Sequence, residues 1–192
     1  MGREFELKFK ATAQALGEIR ALWKNWEQIS METTYFDTAD GQLSAKHCTL
    51  RRRMENGNSV CTMKTPLSGF GRGEWEVQAA WSEKTVAELF AKAGQELISF
   101  KKLTAVCGAR FTRLAKTVEL PGCTVEIALD EGVLIGGGRE IPLCELEVEL
   151  KAGSEAAAIP WAQHLAERFC LQAESQSKFR RAFGLAKGEY HG

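Results

Sequence analysis

The chain has 192 residues, a length that suits one domain with a substantial core. It carries 25 basic and 25 acidic residues, so its formal net charge is zero, which argues against a broad nucleic-acid-binding surface. No apolar run approaches the roughly 18 residues of a membrane span, and the N-terminus enters a charged segment without a signal peptide, so we expect a cytoplasmic protein without a membrane partner.

The first predicted element is a strand over residues 4–9, in which charged and apolar side chains alternate. Successive side chains of an extended strand point to opposite faces. One face therefore carries Glu4, Glu6 and Lys8, and the other carries Phe5, Leu7 and Phe9. Taken alone, such a strand would turn its charged face to water.

The next segment predicts a helix followed by strands. A helix is predicted over residues 12–28, because Thr12 can cap it and apolar residues recur at helical spacing. A strand over residues 32–37 follows, and Asp40-Gly41 is typical of a turn. Two strands, at residues 49–54 and 59–65, flank Asn56-Gly57, which predicts a hairpin because both turn positions need a positive φ.

The rest of the chain is predicted to consist mainly of strands. After a glycine-rich loop at residues 66–73, a strand at 74–81 leads into a polar helical stretch at 82–101 that breaks near Gly94. The further strands are predicted at 103–114, 115–120, 124–130 and 142–151. A helix at 154–170 contains Pro160, and a short basic helix or turn follows at 175–183.

The alternation seen in the first strand recurs along the chain. The charged residues at same-face spacing are Arg51 and Arg53, Glu74 and Glu76, Glu126 and Asp130, and Glu145, Glu147 and Glu149. Antiparallel strands without a βαβ rhythm predict an α+β fold dominated by one antiparallel sheet. An open sheet would leave these faces in water. A closed barrel would bring them together inside, which is costly unless the charges pair, bind metal or bind a multiply charged ligand.

If the charged faces converge, their residue types suit a metal-bound polyphosphate. The carboxylates that would form an all-oxygen cluster for Mg²⁺ or Mn²⁺ are Glu4, Glu6, Glu145 and Glu147. The basic residues that would bind phosphate oxygens are Lys8, Arg51, Arg53, Lys64, Arg113 and Lys178. Zinc is not expected, because the six cysteines show no C-x-x-C spacing and the three histidines are scattered.

No motif for a catalytic nucleophile is visible. The chain has neither G-x-S-x-G nor the phosphate-binding G-x-x-x-x-G-K-[ST]. Phosphoryl transfer depends mainly on positioning and charge neutralisation, so hydrolysis needs no protein nucleophile. A metal held by glutamates could also acidify the attacking water.

Taken in order, these segments resemble the CYTH, or triphosphate tunnel metalloenzyme, superfamily. Glu4-Phe5-Glu6-Leu7-Lys8 is similar to its E-x-E-x-K signature. The resemblance continues in Thr34-Tyr35-Phe36-Asp37-Thr38, Leu50-Arg51-Arg52-Arg53, Thr62-Met63-Lys64, Arg72-Gly73-Glu74-Trp75, Val125-Glu126-Ile127-Ala128-Leu129-Asp130, Glu145-Leu146-Glu147-Val148-Glu149 and Ser177-Lys178. Each motif is weak alone, and their common order makes the resemblance specific.

The resemblance implies a fold and a set of site residues. The fold would be a single CYTH domain over residues 1–192, an α+β protein with a closed eight-stranded antiparallel β-barrel and a helical segment from about residue 154. The implied metal ligands or their supports are Glu4, Glu6, Glu126, Asp130, Glu145 and Glu147. The phosphates would be held by Lys8, Arg51, Arg53, Lys64, Arg113 and Lys178, and the predicted catalytic residues are Lys8, Glu147 and Lys178.

The leading functional hypothesis is Mg²⁺- or Mn²⁺-dependent hydrolysis of inorganic triphosphate, with a small polyphosphate as the partner. The sequence is most similar to bacterial inorganic triphosphatases, in which a helical CHAD domain often follows the CYTH domain. The alternatives are a class IV-type adenylyl cyclase, a thiamine triphosphatase and a non-catalytic polyphosphate-binding module. A cyclase ranks lower because no adenine pocket is visible in the sequence. A thiamine triphosphatase would need an aromatic or apolar lip at the tunnel mouth, for which Trp75 or Trp81 are only core-biased candidates.

Overall fold

The structure, a computed structural model, describes residues 5–66 and 72–190. The strands are β1 Glu6–Lys10, β2 Glu27–Thr38, β3 Thr49–Glu55, β4 Asn58–Pro66, β5 Arg72–Gln78, β6 Leu103–Leu120, β7 Cys123–Gly136, β8 Arg139–Gly153 and β9 Gln172–Ala173. The helices are α1 Ala13–Arg20, α2 Gln42–Ala45, α3 Glu83–Lys92, α4 Glu155–Arg168 and α5 Lys178–Lys187, with a 3₁₀ turn at Phe100–Lys102. Glu4 and most of the predicted glycine-rich loop lie outside the described residues.

The strands form one large antiparallel sheet. Their order is β5-β4-β3-β2-β6-β7-β8-β1-β9. The longest ladders join β6, β7 and β8 near the middle of the sheet, and β1 pairs with β8 so that Lys8 lies opposite Glu147. The predicted combination of helices with one dominant antiparallel sheet is therefore confirmed.

The predicted closure into an eight-stranded barrel is not confirmed. Within the described part of the chain, the sheet has nine strands and no ladder joins β5 to β1 or β9. The outer edge of β1 is occupied by β9, which pairs Phe9 with Ala173, and the Glu174 N–H donates to the carbonyl of Lys8. A strand edge can form a ladder with only one neighbour, so these contacts take the edge that closure would need.

Local signals account for the hairpin that carries two of the arginines. Asn56 and Gly57 have φ angles of 48° and 85°, the left-handed conformation that a tight two-residue turn requires. The Asn56 side chain also accepts a hydrogen bond from the Ser30 N–H, which ties the turn to β2. The register places Arg51 opposite Thr62 and Arg53 opposite Val60.

Several predicted boundaries were wrong, and two of them have clear causes. The first helix ends at Arg20 rather than near residue 28, because Asn25 adopts a φ of 58° and the Trp26 indole N–H donates to the carbonyls of Arg20 and Trp23. The strands predicted at residues 103–114 and 115–120 form the single strand β6. Two partners support its length, since β2 pairs with its first part and β7 with its second part.

Three helices pack on the outer, apolar face of the sheet. Leu16 and Ile19 of α1 and Leu165 of α4 pack against Ile127 and Leu146. The helix α3 covers another part of this face, where Val86, Leu89 and Phe90 meet Leu50 and Met63. None of the helices in the described part of the chain is long and apolar enough to cross a membrane.

The last helix, α5, instead lies on the inner face. Its Ala182 meets Leu134 and Leu143, which share the strand faces of Asp130 and Glu145. The Phe179 ring lies 5.0 Å from the Tyr35 ring. The helix therefore covers one end of the concave side of the sheet and brings its N-terminus towards the charged residues.

A close backbone contact holds α5 in place. A Cβ atom at Gly136 would lie 2.2 Å from the Ala182 carbonyl oxygen and 2.7 Å from the Ala186 nitrogen, so only glycine fits there. The Arg139 guanidinium donates to the Leu185 carbonyl at 2.5 Å. The position of Lys178, the first residue of α5, consequently depends on the β7–β8 turn.

Candidate active site

One cavity of about 360 Å³ on the concave face collects side chains from both halves of the sheet and from α5. Among its lining residues are all six predicted phosphate-binding cations, Lys8, Arg51, Arg53, Lys64, Arg113 and Lys178. The acidic residues that line it are Glu6, Glu74, Glu147 and Glu149. Since β1 and β5 lie near opposite ends of the strand order, their shared cavity shows that the sheet is strongly curved.

Strand alternation selects which arginines reach this cavity. Arg51 and Arg53 line it, whereas Arg52, one residue out of phase, is not among its lining residues. Arg113 also lines it, while Arg110 is exposed and pairs with Glu140 on the surface at 3.1 Å. The two arginines are three residues apart, so strand alternation places Arg113, rather than Arg110, on the inner face.

Three predicted metal ligands form a compact cluster of carboxylates. Oxygen atoms of Asp130, Glu145 and Glu147 all lie within 4.8 Å of one another. The β7–β8 register produces this contact, because Asp130 lies opposite Glu145, and Glu147 follows two residues later on the same face. Asp130 and Glu145 have no exposed surface, whereas Glu147 reaches the cavity.

Three cations neutralise this carboxylate cluster. Arg113 donates to both oxygens of Asp130, at 2.8 and 2.7 Å, and also contacts Glu147. The Lys178 ammonium lies 2.8 Å from Asp130, 2.5 Å from Glu145 and 2.7 Å from Glu147. Arg181, itself buried, contacts the second oxygen of Glu145. Buried charges of this kind are tolerated only when they are paired in this way.

These ion pairs and burial set the protonation states. At Glu147 burial opposes ionisation, but Lys178 and Arg113 hold its pKa well below the ordinary value. At Glu145 burial is the larger effect and raises the pKa to about 7, in spite of Lys178 and Arg181. Burial would lower the pKa of Lys178, yet the neighbouring carboxylates raise it above the ordinary value. Glu147 is thus the anionic carboxylate of the cluster that faces the cavity.

The opposite wall of the cavity is less tightly paired. Arg51 lies 3.3 Å from Glu74 and 3.9 Å from Glu76, and the Lys64 ammonium lies 3.0 Å from Glu74. Arg53 contacts Glu55 and lies 4.0 Å from Glu76. Burial and the neighbouring Arg51 both lower the pKa of Arg53, which means that the fold disfavours its positive charge.

The remaining predicted metal ligands are placed differently. Glu6 lines the cavity, and its carboxylate accepts a hydrogen bond from Lys8 at 2.9 Å. Glu126 does not line this cavity and pairs with Lys151 at 3.4 Å. Glu4 lies outside the described residues.

Two buried charged residues were missed from the sequence. Arg181 bridges Glu145 and Glu174, with its guanidinium 3.6 Å from the latter, and Glu174 is 8% exposed. Arg181 lies three residues after Lys178 on α5, a spacing that places both side chains on one face of a helix. That spacing was the available signal. No pattern around Glu174 indicated its burial.

Comparison with known proteins gives a family model and a curated relative that match most of the chain. The family model described as "CYTH domain" matches residues 2–183. An inorganic triphosphatase from Haemophilus influenzae is 27% identical over 169 residues, which cover 85% of this chain. The match covers only 48% of that relative, so this chain spans about half of its length.

Solved structures show the same fold at low sequence identity. HpAC1 from Hippeastrum is a candidate adenylyl cyclase described as having a dominant triphosphatase activity. It is 14% identical with a TM-score of 0.66, and the match covers 100% of this chain and 97% of HpAC1. A candidate adenylate cyclase from Bacillus halodurans is 16% identical with a TM-score of 0.57, covering 94% of this chain and 98% of that protein. At these identities the comparison supports the fold alone.

Proposed function

The chain belongs to the CYTH domain family, and from this premise we propose that it hydrolyses inorganic triphosphate with Mg²⁺ or Mn²⁺ as its cofactor. The observation that carries this proposal is one cavity in which six cations meet beside a cluster of carboxylates. A monophosphate would not need so many cations, whereas a linear triphosphate presents anionic oxygens along its length. The activity of the Haemophilus influenzae relative supports the same substrate class.

The six cations would hold the phosphate chain from several directions. Arg51 and Arg53 offer planar guanidinium groups from β3, while Lys8 and Lys64 offer point charges from β1 and β4. The cavity charges already have partners, as in the pair of Lys8 with Glu6. Phosphate oxygens would therefore exchange with carboxylates as partners of these cations, so that binding does not leave charges unpaired.

The donor atoms of the carboxylate cluster fit a hard divalent cation. Asp130, Glu145 and Glu147 provide oxygen atoms only, within 4.8 Å of one another, which suits Mg²⁺ or Mn²⁺. These three residues, with Glu6 from the cavity lining, would hold the ion, which would replace the Lys178 ammonium as their partner. When bound, such an ion would neutralise phosphate charge and lower the pKa of a water molecule.

We call the cavity of about 360 Å³ that the six cations line the phosphate cavity. Arg113 and Lys178 connect the carboxylate cluster with this cavity, because both line it and both contact Glu147. In hydrolysis, the oxygen of water forms a bond to a phosphorus atom while one phosphoanhydride bond breaks, which yields diphosphate and phosphate. Positive charge fixed beside the reacting phosphoryl group favours this step, because charge neutralisation and positioning carry most of the catalysis. We assign this role to Lys178, Arg113 and Lys8.

The proposal is tested by phosphate release from tripolyphosphate. We expect Glu147→Gln to lower kcat/KM by roughly 100-fold or more, since it removes the cavity-facing charge of the carboxylate cluster. The matched control is Glu140→Gln, which changes an exposed glutamate on the same strand and should leave activity unchanged. Full activity of Glu147→Gln, or full activity of the unaltered chain in excess chelator, would overturn the proposal.

An organic triphosphate is the second candidate substrate. A neighbouring cavity of about 560 Å³ shares Thr49, Ser177 and Phe179 with the phosphate cavity and is also lined by Phe183 and Tyr190. Aromatic rings of this kind can contact the planar base of a nucleotide. Measuring cyclic AMP and phosphate release from ATP separates cyclisation from hydrolysis.

Trp75 and Trp81, the core-biased candidates for an aromatic lip, pack in the core and form no such lip. Trp81 stacks on Phe36 with ring centroids 3.9 Å apart, and both tryptophans pack against the core beneath α3. This core lies on the outer face, so neither indole lines the phosphate cavity. Strand phase accounts for the position of Trp75, because this residue alternates with Glu74 and Glu76.

A further inference from the structure

The phosphate cavity continues into a second cavity of about 600 Å³ towards the other end of the strands. The charged residues that line both are Arg51, Arg53, Glu74, Arg113 and Glu149. The two cavities are therefore neighbouring parts of one charged channel along the concave face.

The balance of charge reverses along this channel. Among the described residues, those charged residues that line only the phosphate cavity are Glu6, Lys8, Lys64, Glu147 and Lys178. Those that line only the second cavity are Glu27, Glu55, Glu76, Glu126 and Lys151. Cations are in excess in the first group, and carboxylates are in large excess in the second. We call the second cavity the acidic end.

The strand register places Glu27 and Glu55 beyond Arg53, while Glu76 lies level with Arg51. Glu55 follows Arg53 by two residues on β3, and Glu76 follows Glu74 by two residues on β5. Each step of two residues advances roughly 7 Å along a strand. Across the channel, Glu126 lies opposite Glu149 in the β7–β8 register. A ligand that extends along β3 past Arg53 therefore approaches carboxylates from several strands.

Several of these carboxylates are held in position. Glu55 contacts Arg53, and Glu76 accepts a hydrogen bond from the Thr62 hydroxyl at 3.1 Å. Lys151 lies 3.4 Å from Glu126 and 2.8 Å from Glu149. These contacts oppose a rearrangement in which the carboxylates turn away from an incoming anion. The contact of Glu55 with Arg53 also occupies the side of Arg53 that faces the acidic end.

We propose that the acidic end limits the length of the phosphate chain that the channel accepts, with Glu27, Glu55 and Glu76 as specificity-determining residues. This inference rests on the proposed function and assigns its substrate preference to short linear polyphosphates. A triphosphate held by the cations ends before Glu27 and Glu55, whereas a longer chain extends its negative charge towards the carboxylates of the acidic end. Repulsion between these like charges selects against the longer ligand.

The test compares tripolyphosphate with linear polyphosphates of four or more phosphates. The variant is Glu27→Gln/Glu55→Gln/Glu76→Gln, which keeps side-chain size and removes three negative charges. Its control, Glu119→Gln/Glu131→Gln/Glu140→Gln, removes the same charge from three exposed residues outside the channel. We measure kcat/KM for phosphate release and, independently, the Kd of each polyphosphate with metal present.

In the unaltered chain and the control, we expect tripolyphosphate to be preferred over the longer polyphosphates. The channel variant should reduce this preference at least tenfold, mainly through lower KM and Kd for the longer chains, with tripolyphosphate changed less than threefold. Raising the salt concentration should reduce the preference of the unaltered chain, since it screens the carboxylates.

The outcomes separate this inference from the proposed function. An equal preference in the channel variant and the control, in both kcat/KM and Kd, would overturn the inference, as would an unaltered chain that prefers the longer polyphosphates. Absence of phosphate release with an intact length preference in Kd would overturn the proposed hydrolysis and retain the length limit. If the triple variant does not fold, Glu55→Gln alone and the salt dependence of the unaltered chain decide.

Discussion

The two walls of the phosphate cavity carry similar charges but bury them to different degrees. The wall formed by β7, β8 and α5 is backed by the side chains of Asp130 and Glu145, which are fully buried, and of Arg181, which is 5% exposed. On the wall formed by β3, β4 and β5, the side chains of Arg53 and Lys64 remain 20% and 23% exposed. We call these the buried wall and the open wall.

The difference indicates that the walls contribute differently to stability. On the buried wall each carboxylate has a cation in contact, and removal of one partner leaves an uncompensated charge in the interior. On the open wall Arg51 and Arg53 lie on the same face of one strand, and the lowered pKa of Arg53 shows that the fold opposes its charge. The buried wall should therefore support both stability and activity, and the open wall mainly activity.

The largest expected effect is on the buried wall, in Arg181→Met. The substitution leaves Glu145 and Glu174 without the guanidinium that lies between them, and we expect the free energy of unfolding to fall by about 3–5 kcal/mol. Urea denaturation measures this change. The control is Arg180→Met, an exposed neighbour, which should change stability by less than about 0.5 kcal/mol. Equal effects of the two variants would contradict the difference between the walls.

The next largest effect is expected for Gly136→Ala, which tests whether the contact of α5 with Gly136 positions Lys178 on the buried wall. In Gly136→Ala the new methyl group would meet the Ala182 carbonyl, so α5 must shift and carry Lys178 with it. We expect a loss of about 1–3 kcal/mol in thermal or urea denaturation, together with reduced activity. Gly17→Ala is the control, since a Cβ atom meets nothing within 4 Å there, and it should be neutral or stabilising. Unchanged activity in Gly136→Ala would mean that Lys178 does not depend on this contact.

A smaller change in stability is expected on the open wall. Arg53→Met removes a charge that burial and Arg51 both disfavour, so the free energy of unfolding should change by less than about 1 kcal/mol or should rise. Its activity on tripolyphosphate should nevertheless fall by roughly 100-fold, because Arg53 is one of the six cations proposed to hold the phosphates. The free energy of unfolding and the activity on tripolyphosphate are each compared with those of Arg181→Met. A loss of stability as large as that of Arg181→Met would remove the distinction between the walls.

The smallest effect is expected for an exposed ion pair outside the cavity, which serves as a reference for the buried ion pairs. Lys92 and Glu88 form an exposed ion pair one helical turn apart on α3, with nitrogen and oxygen 2.7 Å apart. We expect Lys92→Met to cost about 0.3–0.5 kcal/mol at low salt and nothing measurable at high salt. If Lys92→Met costs as much as Arg181→Met, burial does not explain the stability of the buried wall.

Much of the local structure was readable from sequence because it depends on neighbouring residues. Asn56-Gly57 predicts its hairpin through backbone conformation alone, and the alternation around Glu147 predicts which side chains share a face. Boundaries that depend on distant contacts were read less well. The end of α1 depends on hydrogen bonds of the Trp26 side chain, and the length of β6 depends on two partner strands.

By itself, the sequence determined the period of each strand and hence the set of residues on each charged face, because side-chain direction in a strand is a local property. Only the tertiary structure decided how those faces meet: that β9 occupies the edge of β1, that Arg181 and Glu174 are buried, and that Glu126 lines the acidic end rather than the phosphate cavity. Each of these depends on contacts between residues far apart in the chain. Curvature of the sheet and the docking of α5 create those contacts, and no local pattern encodes them.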